Sequence, residues 1–99
     1  MSNSFSFNAE VWDYNGENSW HFVTLPQAVA DALKQMNDSR HGFGTIQVIA
    51  VIGGTKWQTS LFPDTKSDSY LLPVKKEVQV AESLIVGTSA SVQLFPLLV

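Results

Sequence analysis

Residues 44–63 read G-T-I-Q-V-I-A-V-I-G-G-T-K-W-Q-T-S-L-F-P, and the fold turns on them. A β-branched apolar run, a glycine pair and a second alternating run follow one another, which is the pattern of two long antiparallel strands joined by a tight turn. In the first arm Ile46, Val48, Ala50 and Ile52 share one face while Thr45, Gln47, Ile49 and Val51 share the other. The second face begins polar and ends apolar, as in a strand that enters from solvent and crosses the middle of a small barrel. Past Gly53 and Gly54, the residues Trp57, Thr59 and Leu61 alternate with Lys56, Gln58, Ser60 and Phe62. Pro63 has no N–H to give to a ladder and is expected to end the strand.

Toward the N-terminus, the polar run 37–42 predicts an exposed loop. Before it, Val29, Ala32, Leu33 and Met36 recur at helical spacing after Pro26, which predicts a short amphipathic helix over residues 26–36. Residues 4–14 alternate, with Phe5, Phe7, Ala9 and Val11 on the inward face and Ser6, Asn8, Glu10 and Trp12 on the other. Asn15-Gly16 marks a turn into the aromatic and β-branched run 19–25, so these two strands are expected to form a hairpin.

Toward the C-terminus, residues 64–69 read as a loop, and Tyr70, Leu71 and Leu72 as a short strand cut off at Pro73. Val74, Val78 and Ala81 lie three to four residues apart and favour a second short helix over residues 74–81. Gly87 supplies a turn, and residues 89–95 alternate with Ala90, Val92 and Leu94 inward. The apolar tail 96–99 is expected either to dock on the body or to lie in a contact between subunits. The order β-β-α-β-β-β-α-β leaves connections too short for parallel crossovers. A mainly β domain with two short helices follows, a small antiparallel barrel capped at its ends and spanning residues 1–99.

Composition narrows the function. Hydrophobic residues make up 44% of the chain and charged ones only 15%, which excludes disorder. The net charge is −3, from six Lys and Arg against nine acids, so no basic stripe exists to neutralise phosphates and nucleic acid is a disfavoured partner. With no cysteine there is no disulfide, thiol nucleophile or thiolate metal site. The N-terminal M-S-N-S-F-S-F has neither the basic region nor the apolar core of a secretory signal. The longest apolar stretch, residues 48–54, is far short of the roughly 20 that span a bilayer. A cytoplasmic protein with no membrane partner is the expectation.

Three blocks together carry a family likeness: W-H-F-V-T-L-P at residues 20–26, I-G-G-T-K-W-Q-T-S-L-F-P at 52–63 and Y-L-L-P-V-K-K-E-V at 70–78. In this order they resemble the bacterial family known as domain of unknown function 1905, over nearly the whole chain. The resemblance implies a small split β-barrel, with the AbrB-like double-split form of the swapped-hairpin regulators as the favoured variant. It implies no activity. The chain departs from the family's pattern at Gln79, where relatives often carry arginine, and at Thr88, where they usually carry aspartate, so no role of those two residues is carried over.

The residues offer little reactive chemistry. His21 stands in a strand and His41 in a loop, and neither belongs to an H-x-x-x-H or H-E-x-x-H arrangement, so no metal site is expected. No serine lies in a G-x-S-x-G elbow, and Thr59-Ser60 sits mid-strand without a visible base. Gly53-Gly54-Thr55-Lys56 is similar to the end of a phosphate loop, but a strand follows it rather than a helix, and a hairpin turn accounts for both glycines. Glu10, Asp13, Glu17, Asp64 and Asp68 fall near loops or on outward faces. Aromatics are the richer set: Trp12, Tyr14, Trp20 and Trp57 fall on strands, either as a ligand platform or as a second small core beneath a loop or a dimer partner.

The expected function is therefore a non-catalytic binding module without cofactor, holding a small anionic molecule or a protein through Trp57, Thr59, Tyr70, Lys75 and Lys76. A DNA-binding regulator of the swapped-hairpin type and an enzyme of unknown reaction are the alternatives. Self-association as a homodimer is a separate expectation, from the apolar tail and the open edges of the barrel.

Overall fold

The computed structural model describes residues 4–13, 20–36 and 44–97. The elements in chain order are β1 (Phe5–Trp12), β2 (His21–Thr24), α1 (Gln27–Met36), β3 (Ile46–Ile52), β4 (Thr55–Asp64), β5 (Ser69–Val74), α2 (Lys76–Ala81) and β6 (Ser89–Pro96). The six strands close into an antiparallel barrel in the order β1-β2-β5-β4-β3-β6. The expectation of a mainly β barrel with two short helices holds. So does the decisive hairpin: β3 and β4 pair from Ile46↔Leu61 to Ile52↔Thr55 around Gly53-Gly54.

Period-two alternation builds the core. Val48 and Ala50 of β3, Leu61 of β4, Leu72 and Val74 of β5, and Leu94 of β6 point inward and are wholly buried, beside Val11 and Val23. Burying each such Leu or Val contributes about 1.5–3 kcal/mol. The helices cover opposite ends. Near the β4–β5 turn, α1 buries Ala30 and Leu33, while Gln27 and Lys34 reach the Asp68 carbonyl at 3.0 and 3.1 Å. At the other end α2 buries Val78, and Glu82 just after it accepts hydrogen bonds from the Gly54 N–H (3.2 Å) and the Thr55 hydroxyl (2.7 Å). This carboxylate locks the hairpin tip, where Gly53 takes a φ of 60° that favours glycine.

Three boundaries differ from the sequence-based expectation. Pro63 does not end β4, which runs on to Asp64 with Pro63 paired to Tyr70. Pro73 does not cut off the next strand either, since β5 continues to Val74 with Pro73 paired to Phe22. Each proline's nitrogen faces a side where the strand has no partner, as shown below, so the missing N–H costs no ladder bond. Accordingly α2 begins at Lys76 rather than at Val74, which belongs to β5. The tail starts out docked: Pro96 pairs with Val48, and the Leu97 N–H donates to the Gln47 carbonyl at 2.8 Å. Tyr14, the Asn15-Gly16 turn, the loop 37–42 with His41, and residues 98–99 lie outside the described residues.

Candidate functional site

The site arises from an interruption in the barrel wall. β4 pairs with β3 from Thr55 to Leu61, but with β5 only from Phe62 to Asp64, while Leu71 to Val74 of β5 pair with β2. On the flank that β4 and β5 share, the ladder therefore stops at Phe62↔Leu71. The two-residue turn makes Ile52 and Thr55 a hydrogen-bonded pair, so Thr55, Trp57, Thr59 and Leu61 aim their backbone groups at β3. Gln58 and Ser60 aim theirs the other way, toward β5. On β5, the Leu25 N–H donates to the Tyr70 carbonyl at 3.0 Å, which turns Tyr70, and by alternation Leu72 and Val74, toward β2. Pro73 is left facing β4 with no donor. By the same alternation the Pro63 nitrogen faces β3, whose pairing has already ended at Leu61.

A cavity of ≈ 720 Å³ occupies the opening. Trp57, Gln58, Thr59 and Ser60 all line it, and consecutive strand residues point to opposite faces, so only a cavity running along the edge of β4 can touch all four. Pro73 and Lys75 form the opposite wall together with Phe22 and Trp20, and Phe62 closes the end where the strands join. Gln47 reaches in from β3, its Nε2 donating to Ser60 Oγ at 2.7 Å. Phe22 is held from behind by Trp12, whose ring lies 5.3 Å away at 34°, and whose indole N–H donates to Thr24 Oγ1 at 2.8 Å. Trp12 thus belongs to a small apolar cluster on the outside of the barrel. Trp20 and Phe62 are 54% and 46% exposed, a large apolar surface to leave in water.

The lining holds the donors of Trp57, Gln58 and Lys75 beside the hydroxyls of Thr59 and Ser60. Lys75 is its only charged residue, and it has no carboxylate within ion-pair distance among the described residues. Among the described residues the Trp57 indole N–H makes no hydrogen bond, yet the sole buried side-chain polar atom of these residues without a partner is His21 Nδ1. The Trp57 N–H is therefore not sealed in the core and reaches the cavity surface. Among the described residues no carboxylate, histidine or cysteine lines the opening.

Of the five expected site residues, the structure brings Trp57, Thr59 and Lys75 together. Tyr70 is 2% exposed in the core, beside a smaller cavity of ≈ 200 Å³ that Lys34 and Pro63 also line, and Lys76 is an exposed residue of α2 off the large cavity. Gln58, Ser60, Phe62, Pro73 and Phe22 were not expected in the site. Of these only Pro73 left a signal in the sequence, a proline inside a strand being a mark of an unpaired edge. Asp64 and Asp68 do not converge, and Glu17 lies outside the described residues. Asp64 accepts from Ser67 N–H and hydroxyl at 3.2 and 2.7 Å, and Asp68 pairs with Lys34 at 3.1 Å. Gln79 is buried and donates from Nε2 to the Val74 carbonyl at 2.8 Å. Thr88 accepts from the Val11 N–H through its carbonyl at 2.8 Å, a backbone role that spares its side chain. Among the described residues no group of three His, Cys, Asp or Glu is placed to hold a metal ion, and no helix is long and apolar enough to cross a membrane.

No curated protein matches the chain. The family model described as "Domain of unknown function (DUF1905)" matches residues 7–94, and the chain belongs to that family.

Proposed function

We propose that this barrel is a non-catalytic binding module whose ligand, carrying a negative charge, occupies the opening between β4 and β5. One observation carries the reading: an aromatic-walled cavity of ≈ 720 Å³ in an acidic protein has Lys75 as the only charge among its described lining residues. Its size falls in the usual range of ligand sites, about 300–1,000 Å³, and its few polar groups converge on a largely apolar interior. Among its described residues the lining holds no histidine, cysteine or carboxylate, the side chains that most often move protons near neutral pH. A ligand with acceptor oxygens fits donors from Trp57, Gln58 and Lys75.

The test is a screen of small carboxylates, phosphates and acidic peptides by thermal shift and by the fluorescence of Trp20 and Trp57. Ligands found this way are expected to lose affinity with Lys75→Gln and to keep it with Lys76→Gln, which lies off the cavity. Equal affinity in both variants would reject the site.

A further inference from the structure

The opening does more than leave a cavity: it leaves a strand edge unpaired. The backbone N–H and C=O groups of Gln58 and Ser60 face it with no strand opposite, on a β4 that is held rigidly by β3 along its other side. Buried backbone groups of this kind are almost always paired, and an exposed pair of them in register is what an added strand uses. Extending the register from Phe62↔Leu71 sets Ser60 level with Pro73 and Gln58 level with Lys75. One wall of the opening therefore offers two donors and two acceptors. The other offers, at Pro73, an acceptor only.

We propose that the ligand is an extended peptide segment that adds to the edge of β4, pairing its backbone with Gln58 and Ser60. An apolar side chain packs against Phe62 and Phe22, and an acidic side chain or terminal carboxylate meets Lys75. Charge fixes the direction of the assignment: among the described residues the lining carries one cation and no acid, so an acidic residue belongs at the level of Gln58 and an apolar one at the level of Ser60. Pro73 explains why β4 and not β5 is the edge that is read, since a proline breaks the donor row. The inference rests on the ligand-binding reading above and names the class of ligand for that same site.

The experiment uses the full chain and the peptide acetyl-Thr-Val-Leu-Val-Asp-amide, its reversed sequence, the Asn analogue, and two forms of each, N-methylated at the odd or at the even backbone nitrogens. Binding is read by tryptophan fluorescence and by amide exchange at Gln58 and Ser60, with 2-naphthoate as a ligand that has the charge and an aromatic body but no backbone. The expected result is binding of one direction, with slowed exchange of both amides. N-methylation in one of the two phases should weaken it about tenfold or more, and Asp to Asn should weaken it several-fold.

Ser60→Pro deletes one donor that the β3 ladder does not use, and it is expected to abolish peptide binding. Should that variant not fold, the N-methylated peptides decide the matter alone. Naphthoate binding with no peptide binding, or peptide binding indifferent to N-methylation, overturns this inference and leaves the binding reading standing. No binding of any probe overturns both. A wild-type dimer in light scattering that Ser60→Pro converts to monomer makes a second copy of the chain the occupant, which also overturns it.

Discussion

The two flanks of β4 make opposite use of one strand. Along β3 it is paired without interruption from Thr55 to Leu61, and Trp57 and Leu61, aimed inward there, are buried. Along β5 the pairing lasts only from Phe62 to Asp64, and beyond it lie aromatic rings, an unpaired lysine and idle backbone groups. The lesson is a division of labour: the closed flank carries the stability, and that allows the open flank to leave its polar groups uncommitted.

The sharpest way to break this comparison is to remove volume from the closed side. Leu94→Ala, at a wholly buried position of β6, is expected to cost about 2–5 kcal/mol in urea unfolding. It should leave affinity at the opening unchanged wherever the variant is folded. A cost near zero would mean that the closed flank is not where stability resides.

Next in size is the hairpin tip. At Gly53, with φ 60°, an added Cβ would meet the Glu82 carboxylate, whereas at Gly54 it would meet nothing. Gly53→Ala is expected to destabilise by about 1–2 kcal/mol and Gly54→Ala by much less. Equal costs would remove the Glu82 contact as the reason. Glu82→Ala, which frees the Gly54 N–H and the Thr55 hydroxyl, should cost about 1 kcal/mol.

On the open side the expectation inverts. Phe62→Ser should change stability by no more than about 0.5 kcal/mol, since the ring is already 46% exposed, yet weaken every ligand of the opening. Lys34→Gln also has a small effect. Its ion pair with Asp68 is 32% and 82% exposed on the two side chains, so solvent screening leaves about 0.2–1 kcal/mol, lower still in high salt.

How far the sequence could be read follows the same line. Alternation of Ile46, Val48, Ala50 and Ile52 around a diglycine corner identifies the closed flank, because burial on one face writes itself into every second residue. The open flank leaves no such trace. Whether Gln58 and Ser60 have a partner depends on where β5 turns from β4 to β2, a tertiary choice that no local pattern encodes. Pro63 and Pro73 each look like a strand end when every strand is assumed to be paired on both sides. Once one side is open, a proline fits inside the strand. Tyr70 was drawn into the expected site by its chemistry, and the parity of β5 sends it into the core instead.

Pro73 carries a last consequence, for solubility. A bare strand margin is the usual template on which copies of a protein zip together into fibres. The β5 margin cannot seed such growth, since its donor is missing at the centre and two like copies meeting there would bring Lys75 near its own counterpart. Replacing Pro73 with valine would restore the donor and should turn this opening into a nucleus for precipitation.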